Sequence, residues 1–202
     1  MTLLEVFYAG ISLLVALSVF AVLTAVLIDF IEIHKKSQTK KEKKSIVATG
    51  TMLLFFLLFY AVIRLRLGQV PVNPPSLRMC FVLAGLALVI TGAITNILGR
   101  LALGRNWANH IKIYSDHALV SGGAYKIVRH PLYASLIWMF LGASLVYLNY
   151  LAFLANAIIF VPFMYYRAKQ EEDLLSKEFE EYKDYQKNVG MFFPKIFRRT
   201  KT

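Results

Sequence analysis

The chain is poor in cysteine and in charged residues. Cys80 is the single cysteine among 202 residues, which excludes an intrachain disulfide and with it the class of small disulfide-stabilised domains. Charged residues make up only 17% of the sequence, whereas hydrophobic residues make up 57% and the mean hydropathy is +0.55. A soluble domain usually carries about 25% charged residues. The composition therefore predicts an integral membrane protein.

Signals of several other protein classes are also missing. Four histidines are too few for a multi-histidine di-iron site, and His110, His117 and His130 lack the spacing of a zinc motif. The glycines of SGGAY do not form a dinucleotide-binding motif, and the sequence has no GxSxG elbow. We therefore expect no metal ligands, no Rossmann pocket and no serine hydrolase site.

Long apolar runs predict the membrane spans. A hydrocarbon core about 30 Å thick requires about 20 apolar residues in a helix. Three runs approach or reach this length: Ile11–Ile28, Ile46–Ile63 and Met79–Leu98. A fourth stretch, Leu132–Met164, is interrupted near its middle by Tyr147, Asn149 and Tyr150. We interpret it as two short spans in a tight hairpin, so the predicted fold is an all-α integral membrane protein with five transmembrane helices.

The distribution of basic residues predicts the orientation, because Lys and Arg are concentrated on the cytoplasmic side. The net charge of +11 comes from 23 basic and 12 acidic residues. Twenty of the basic residues lie between spans one and two, between spans three and four, or in the tail from Arg167. The other side would carry Arg64, Arg66 and Arg78. This predicts an external N-terminus, retained without signal cleavage, and a cytoplasmic C-terminus. The charge is thus explained by topology, and no nucleic-acid partner is expected.

Polar residues cluster in two cytoplasmic segments. Three histidines lie in the inner loop between residues 104 and 130, where β-branched and aromatic residues around Gly122 and Gly123 predict two short extended arms that meet at a turn. Pro131 would then open span four at the position that a helix tolerates best.

The second polar segment is the tail, which contains seven of the twelve acidic residues between Glu171 and Asp184. Its apolar residues recur at the spacing of one helical face and predict an amphipathic helix: Leu175, Phe179, Tyr182 and Val189. Arg167 and Glu171 lie one turn apart at the predicted membrane boundary. An interfacial salt bridge between them, which would contribute about 0.3 to 0.5 kcal/mol, is the alternative to a functional role.

The string HALVSGGAYKIVRHPLY at 117–133, followed by two predicted spans and by RAKQEEDLLSKEFEEYKDYQKNV, resembles the isoprenylcysteine carboxyl methyltransferase family. That family consists of integral membrane enzymes related to the phospholipid N-methyltransferases. The resemblance covers about 104–196 and divides the chain into transmembrane helices one to three, 1–103, and a catalytic region, 104–202. One departure is Glu180 after Phe179, where the family often has glycine; we expect it to alter helix packing.

The resemblance implies S-adenosylmethionine as the cofactor and S-adenosylhomocysteine as its product. The positions that match cofactor contacts are His117, Leu119, Val120, Tyr125, His130, Pro131, Tyr133 and Glu171, with Glu172 added as the second acid of the pair. Arg167 matches the position that binds the substrate, and Arg167 and Glu171 are the expected catalytic pair. Tyr125 and Tyr133 would cover the adenine, His117 or His130 would bind the cofactor carboxylate, and Glu171 would pair with its ammonium.

The implied reaction is methylation of the C-terminal carboxylate of a prenylated cysteine or a similar lipid-tailed acid, which would enter from the bilayer. Three alternatives stay open: N-methylation of a lipid amine such as phosphatidylethanolamine, a non-catalytic membrane scaffold, and a membrane reductase that binds a nicotinamide cofactor. The expected location is the cytoplasmic membrane of a prokaryote or the endoplasmic reticulum of a eukaryote, among membrane lipids. The sequence leaves the oligomeric state open.

Overall fold

A computed structural model describes residues 2–36, 46–104 and 119–195, without the side chains of residues 29–36 and 46–49. The helices within these ranges are α1 (Leu3–Lys36), α2 (Ile46–Arg64), α3 (Pro75–Leu103), α4 (Pro131–Val146), α5 (Tyr150–Ala155), α6 (Val161–Glu178) and α7 (Tyr182–Asn188). A 3-10 turn covers Gly123–Lys126, and a π-helical turn, Asn156–Phe160, joins α5 to α6. The described ranges contain no β-strand, so the predicted all-α class is confirmed.

Helices lie at all five predicted spans, but their lengths differ. Three helical stretches are long and apolar enough to cross a membrane: Leu3–Ile28, Pro75–Leu103 and Tyr150–Glu178. Gly50–Arg64 and Pro131–Val146 are apolar but shorter. Three candidate spans are therefore found in the described ranges, and the count of five and the orientation of the termini stay predictions.

The predicted hairpin between the last two spans is present. α4 ends at Val146, and the chain turns through Tyr147–Asn149 before α5 begins. The Asn149 side chain caps α5, because its Oδ1 accepts a hydrogen bond from the backbone N–H of Ala152 at 2.9 Å. At the other end, Pro131 is the first residue of α4, as predicted.

α3 and α4 pack closely through small residues. A Cβ at Gly85 would lie 2.6 Å from the backbone oxygen of Gly142, and one at Gly92 would lie 2.8 Å from that of Ser135. Further along the same contact, the buried Asn96 side chain donates to Ser135 Oγ at 2.7 Å. Close approach of backbones and an interhelical hydrogen bond are the usual means of fixing helix pairs in membranes. They fix the start of α4 relative to α3.

α6 presents a buried stripe toward α4. Met164, Ala168 and Glu172 recur every four residues and are all buried, which places them on one helix face. Met164 and Ala168 belong to a core cluster with Ala134 and Trp138 of α4. The packing of Met164 and Ala168 against α4 therefore places Glu172 at the N-terminal end of α4.

Two local predictions were wrong. Of the two extended arms predicted for the inner loop, the one before residue 119 lies outside the described residues. The residues after Gly122 form a 3-10 turn, and the extended pairing of this loop within the described residues is a single parallel bridge between Val128 and Gly190. The tail helix is not continuous, because Phe179 adopts an extended conformation and separates α6 from α7. The break lets α7 fold back, buries Tyr182 and brings the following residues to the inner loop.

Candidate functional site

The segment after α7 runs beside the residues that precede α4. The backbone N–H of Arg129 donates to the oxygen of Gly190 at 2.8 Å, and that of His130 donates to the oxygen of Met191 at 3.1 Å. These two hydrogen bonds hold the tail against the residues at the N-terminus of α4. The inner loop and the tail, which are distant in sequence, thus form one structure.

Glu172 is the buried acid at the centre of this structure. Arg129 Nη2 lies 2.7 Å from Glu172 Oε1, and the exposed fractions of the two side chains are 9% and 2%. His130 Nε2 lies 3.2 Å from the same oxygen, Gln186 Nε2 donates to Oε2 at 3.1 Å, and Lys169 Nζ lies 3.5 Å from Oε2. A buried carboxylate is stable only when it is paired and hydrogen-bonded in this way. Both oxygens of Glu172 are therefore occupied.

Arg129 joins α6 to α7. Besides its salt bridge with Glu172, it donates through Nη1 to the backbone oxygens of Gln186, at 3.1 Å, and Val189. A second link comes from Tyr185, whose hydroxyl donates to the backbone oxygen of Tyr125 at 2.5 Å. The two backbone contacts of Arg129 use carbonyl groups at the C-terminal end of α7, where helical partners are missing. The contacts of Arg129 and Tyr185 stabilise the arrangement in which α7 folds back after the break at Phe179.

His130 lies between the two acids. Its Nδ1 is 3.5 Å from Glu171 Oε2, while its Nε2 faces Glu172, and its ring stacks on that of Tyr133 with centroids 5.7 Å apart. Burial lowers the pKa of His130, but the hydrogen bonds with Glu171 and Glu172 outweigh burial, and the pKa is raised above its ordinary value. The imidazolium form is thus favoured between the two carboxylates.

Glu171 is the accessible member of the acidic pair. Its side chain is 36% exposed, compared with 2% for Glu172. The Tyr133 hydroxyl interacts with both Glu171 and Arg167. Tyr125 is close enough to Glu171 and Tyr133 for their charges to add to the effect of burial, and together they raise the pKa of the Tyr125 phenol. Two tyrosines, one arginine and one carboxylate therefore converge at the point where α6 leaves its apolar stretch.

The structure accounts for most of the predicted site residues. It brings together Tyr125, His130, Tyr133, Arg167, Glu171 and Glu172. Pro131 is buried at the first turn of α4, and Leu119 and Val120 are half-buried just before the 3-10 turn. His110 and His117 lie outside the described residues. The roles of all these residues stay predictions.

The salt-bridge alternative for the tail is not observed. Both Arg167 and Glu171 are described, yet they form no ion pair with each other and instead meet at Tyr133. Among the described residues there is also no group of three or more His, Cys, Asp or Glu side chains arranged to hold a metal ion. The cluster is an arrangement of paired charges and aromatic rings.

Sequence reasoning missed several residues of this site. Arg129 stands in the RHPLY string but was given no role, and its adjacency to His130 was the available signal. Gln186 and Tyr185 gave no signal, because their partners lie far away in sequence. Arg100, which donates to Asn96 Oδ1 at 2.8 Å and acts electrostatically on Tyr125, was counted only as a topological charge.

Comparison with known proteins agrees with this geometry. Residues 85–177 match the model of the isoprenylcysteine carboxyl methyltransferase family. This segment, less than half of the chain, is similar to that family. It extends from the middle of α3 to the end of α6 and contains the Arg129–His130 pair and the Glu171–Glu172 pair. The resemblance to this family that the motifs indicated is confirmed.

Similar curated proteins include two named protein-S-isoprenylcysteine O-methyltransferases and one named methanethiol S-methyltransferase. A probable protein-S-isoprenylcysteine O-methyltransferase of Oryza sativa subsp. indica is 31% identical over 115 residues, which are 55% of this chain and 60% of the relative. The protein-S-isoprenylcysteine O-methyltransferase of Tribolium castaneum is 33% identical over 116 residues, 55% of this chain and 41% of the relative. A methanethiol S-methyltransferase of Pseudomonas deceptionensis is 35% identical over 74 residues, 37% of this chain and 28% of the relative. The chain thus spans 60% or less of the lengths of these relatives.

Proposed function

We propose that the chain transfers a methyl group from S-adenosylmethionine to the C-terminal carboxylate of a prenylated cysteine or a similar lipid-tailed acid. The products would be a methyl ester and S-adenosylhomocysteine. The observation that carries this proposal is the meeting of Tyr133 with Arg167 and Glu171, from two separate helices, inside the segment that matches the family.

The residues of the cluster fit the chemistry of that cofactor, which combines an ammonium, a carboxylate, a sulfonium and an adenine. Glu171 offers an accessible carboxylate for the ammonium, and the rings of Tyr125 and Tyr133 offer aromatic faces for the adenine or the sulfonium. When bound, S-adenosylmethionine supplies an electrophilic methyl group. The protein then has to bind, orient and desolvate, and the proposal requires no metal.

His130 would act on Glu171 rather than on the cofactor itself. Both of its ring nitrogens face carboxylates, at 3.5 Å from Glu171 and 3.2 Å from Glu172. A protonated ring in this position donates to both and orients the Glu171 carboxylate. Because His130 has this role, we propose that His117 binds the carboxylate of the cofactor.

Arg167 would hold the substrate carboxylate. Arg167 is a half-buried residue, and it forms no salt bridge in the described part of the chain. A guanidinium can donate two parallel hydrogen bonds to a carboxylate, which fixes the orientation as well as the position of the attacking oxygen. Alignment of nucleophile, methyl group and leaving group is the main requirement of such a displacement. Removal of water also lowers the barrier, because the two opposite charges disappear during the reaction.

The occupied oxygens of Glu172 restrict the choice of base for the amine alternative. A lipid amine must lose a proton before it attacks and therefore needs a general base. Glu172 is bound by Arg129, His130 and Gln186, so it cannot readily accept a proton. A carboxylate acceptor needs no base. Glu171 is the single member of the acidic pair that would serve the amine reaction.

Thiol methylation is a second candidate function. It is supported by the similarity to the relative named methanethiol S-methyltransferase. A thiol also has to lose its proton, so this candidate again requires a base and predicts a rate that rises with pH near the pKa of that base. The carboxylate reaction predicts no such dependence.

The test uses the purified full chain in detergent with methyl-labelled S-adenosylmethionine. The acceptors, offered separately, are an N-blocked S-farnesylcysteine, the same cysteine without its farnesyl group, phosphatidylethanolamine and a small alkyl thiol. We expect label on the farnesylated cysteine, released by mild base as an ester would be. Base-stable label on the amine or the thiol would replace the carboxylate proposal.

Binding measurements separate the non-enzymatic alternatives. We expect heat release with S-adenosylmethionine and with S-adenosylhomocysteine. No heat and no thermal stabilisation with either compound would favour the scaffold, and stabilisation by NADPH instead would favour the reductase.

A further inference from the structure

A cavity lined by charged and apolar side chains lies at the opposite end of the helix bundle from the candidate site. It has a volume of about 570 Å³ and lies between the start of α1, the link from α2 to α3, and the turn from α4 to α5. α4 begins at the site described above and ends at this cavity after 16 residues, a rise of about 24 Å. The cavity is therefore separate from the proposed methyltransferase site, and the inference drawn from it does not rest on the proposed function.

Three arginines line this cavity. Arg64, Arg66 and Arg78 all contribute to its wall, and within the described ranges none of them forms a salt bridge. The guanidinium of Arg78 lies over the ring of Tyr8, with Cζ 4.6 Å from the ring centroid. The acid in the lining is Glu5, whose carboxylate accepts a hydrogen bond from the backbone N–H of Thr2 at 2.9 Å. The lining has a net positive charge and a surplus of hydrogen-bond donors.

The backbone around the arginines is held in place. The N–H of Val70 donates to the oxygen of Leu148 at 2.9 Å, and the N–H of Tyr150 donates to that of Gly68 at 3.0 Å. Arg66 itself has a φ of 58°, a left-handed conformation that arginine rarely adopts outside a constrained turn. The two hydrogen bonds pin the α2–α3 link to the α4–α5 turn. The arginines consequently project from a defined surface rather than from a free loop.

Apolar side chains alternate with these arginines. Leu65 and Leu67, in the sequence Arg64-Leu65-Arg66-Leu67, are 67% and 50% exposed. Exposed leucines beside helices of membrane-spanning length are expected to face lipid tails. Guanidinium groups beside such a surface are suited to phosphate, because they can bind several of its oxygens with parallel hydrogen bonds.

We propose that this cavity binds the phosphate group of an anionic phospholipid, whose acyl chains lie along the exposed leucines. These three arginines are the basic residues that the topology prediction assigns to the external side, whereas the other twenty are assigned to the cytoplasmic side. Lipid binding gives them a role that topology alone does not.

The experiment measures phospholipid retained by the full chain after delipidation in detergent, by native mass spectrometry. Phosphatidylglycerol is the anionic probe, phosphatidylcholine is the neutral probe, and inorganic phosphate is the soluble source of the same chemistry. We expect wild type to retain phosphatidylglycerol in preference to phosphatidylcholine, and inorganic phosphate not to displace it at equal concentration. Equal retention of the two lipids, or full displacement by inorganic phosphate, would overturn the proposal.

Charge-removing variants locate the binding. The double variant R64Q/R66Q and the single variant R78Q should each weaken phosphatidylglycerol binding, by about tenfold for each guanidinium removed. K183Q, which removes an exposed charge on α7 at the other end of the bundle, should bind as wild type does. A double variant that retains the lipid as wild type does would overturn the proposal. The charge-preserving R64K/R66K controls for folding, and it should bind more weakly than wild type but more tightly than R64Q/R66Q.

Discussion

Arg129 and Glu172, which are 43 positions apart in the sequence, form a buried salt bridge in which Nη2 lies 2.7 Å from Oε1. The same arginine donates to two backbone oxygens of the tail. The bridge thus connects the entrance of α4, the buried face of α6 and the end of α7. The bridge is more buried than Glu171, Tyr133 and Arg167, and it holds together α4 and α6, which carry these residues.

Loss of Arg129 should destabilise the protein more than loss of the whole pair. The variant R129M leaves the Glu172 carboxylate buried without its main partner, and we expect the free energy of unfolding to fall by about 3 kcal/mol. The double variant R129M/E172Q should recover part of that loss. Thermal or denaturant unfolding of R129M, E172Q and R129M/E172Q gives the coupling energy between the two side chains. Additive effects would contradict a direct interaction.

Arg167 should matter for the acceptor and not for the cofactor. R167A removes the guanidinium that we assign to the substrate carboxylate, so kcat/KM for the acceptor should fall by about tenfold to a hundredfold. The affinity for S-adenosylmethionine should change little, and R167K should recover only part of the activity because it lacks the paired donors. K177Q removes an exposed positive charge on the same helix and serves as the control. Intact turnover and acceptor affinity in R167A would end the carboxylate assignment.

The ring of Tyr125, more than its hydroxyl, should bind the cofactor. Y125F keeps the aromatic face, and the backbone oxygen that Tyr185 binds is unchanged, so the affinity for S-adenosylmethionine should stay near that of wild type. Y125L removes the face and should weaken binding by about tenfold. Calorimetric titration distinguishes the two variants. Equal losses in both would point to the hydroxyl.

The stability of the protein should decrease as pH rises above neutrality because of His130. Its pKa in the folded state is raised, since its hydrogen bonds with Glu171 and Glu172 outweigh the opposing effect of burial. A raised folded-state pKa contributes stability that is fully present below the ordinary histidine pKa, about 6.5, and is lost as pH rises through the folded-state value. Unfolding temperatures measured across this interval should therefore fall for wild type and fall less for H130Q. A steeper slope in the variant would show that another group dominates.

Features that depend on local composition and chain direction could be predicted from the sequence. The apolar runs located the helices, the polar residues between Tyr147 and Tyr150 located the hairpin, and Pro131 marked the start of α4, because apolar length and proline geometry act where they stand in the chain. The resemblance of the motifs to the family also predicted that Tyr133 and Glu171 belong to one site.

The arrangement of the tail could not be predicted from the sequence, because it depends on contacts between distant residues. The spacing of Leu175, Phe179 and Tyr182 fits one helix face, but a helical period carries no information on where the axis changes direction. The break at Phe179 is stabilised by hydrogen bonds from Arg129 to the tail, and such distant partners leave no periodic trace in the sequence. The same reason explains why Arg129 and Gln186 were missed: their importance lies in a buried carboxylate that must be neutralised, and burial is a property of the folded chain.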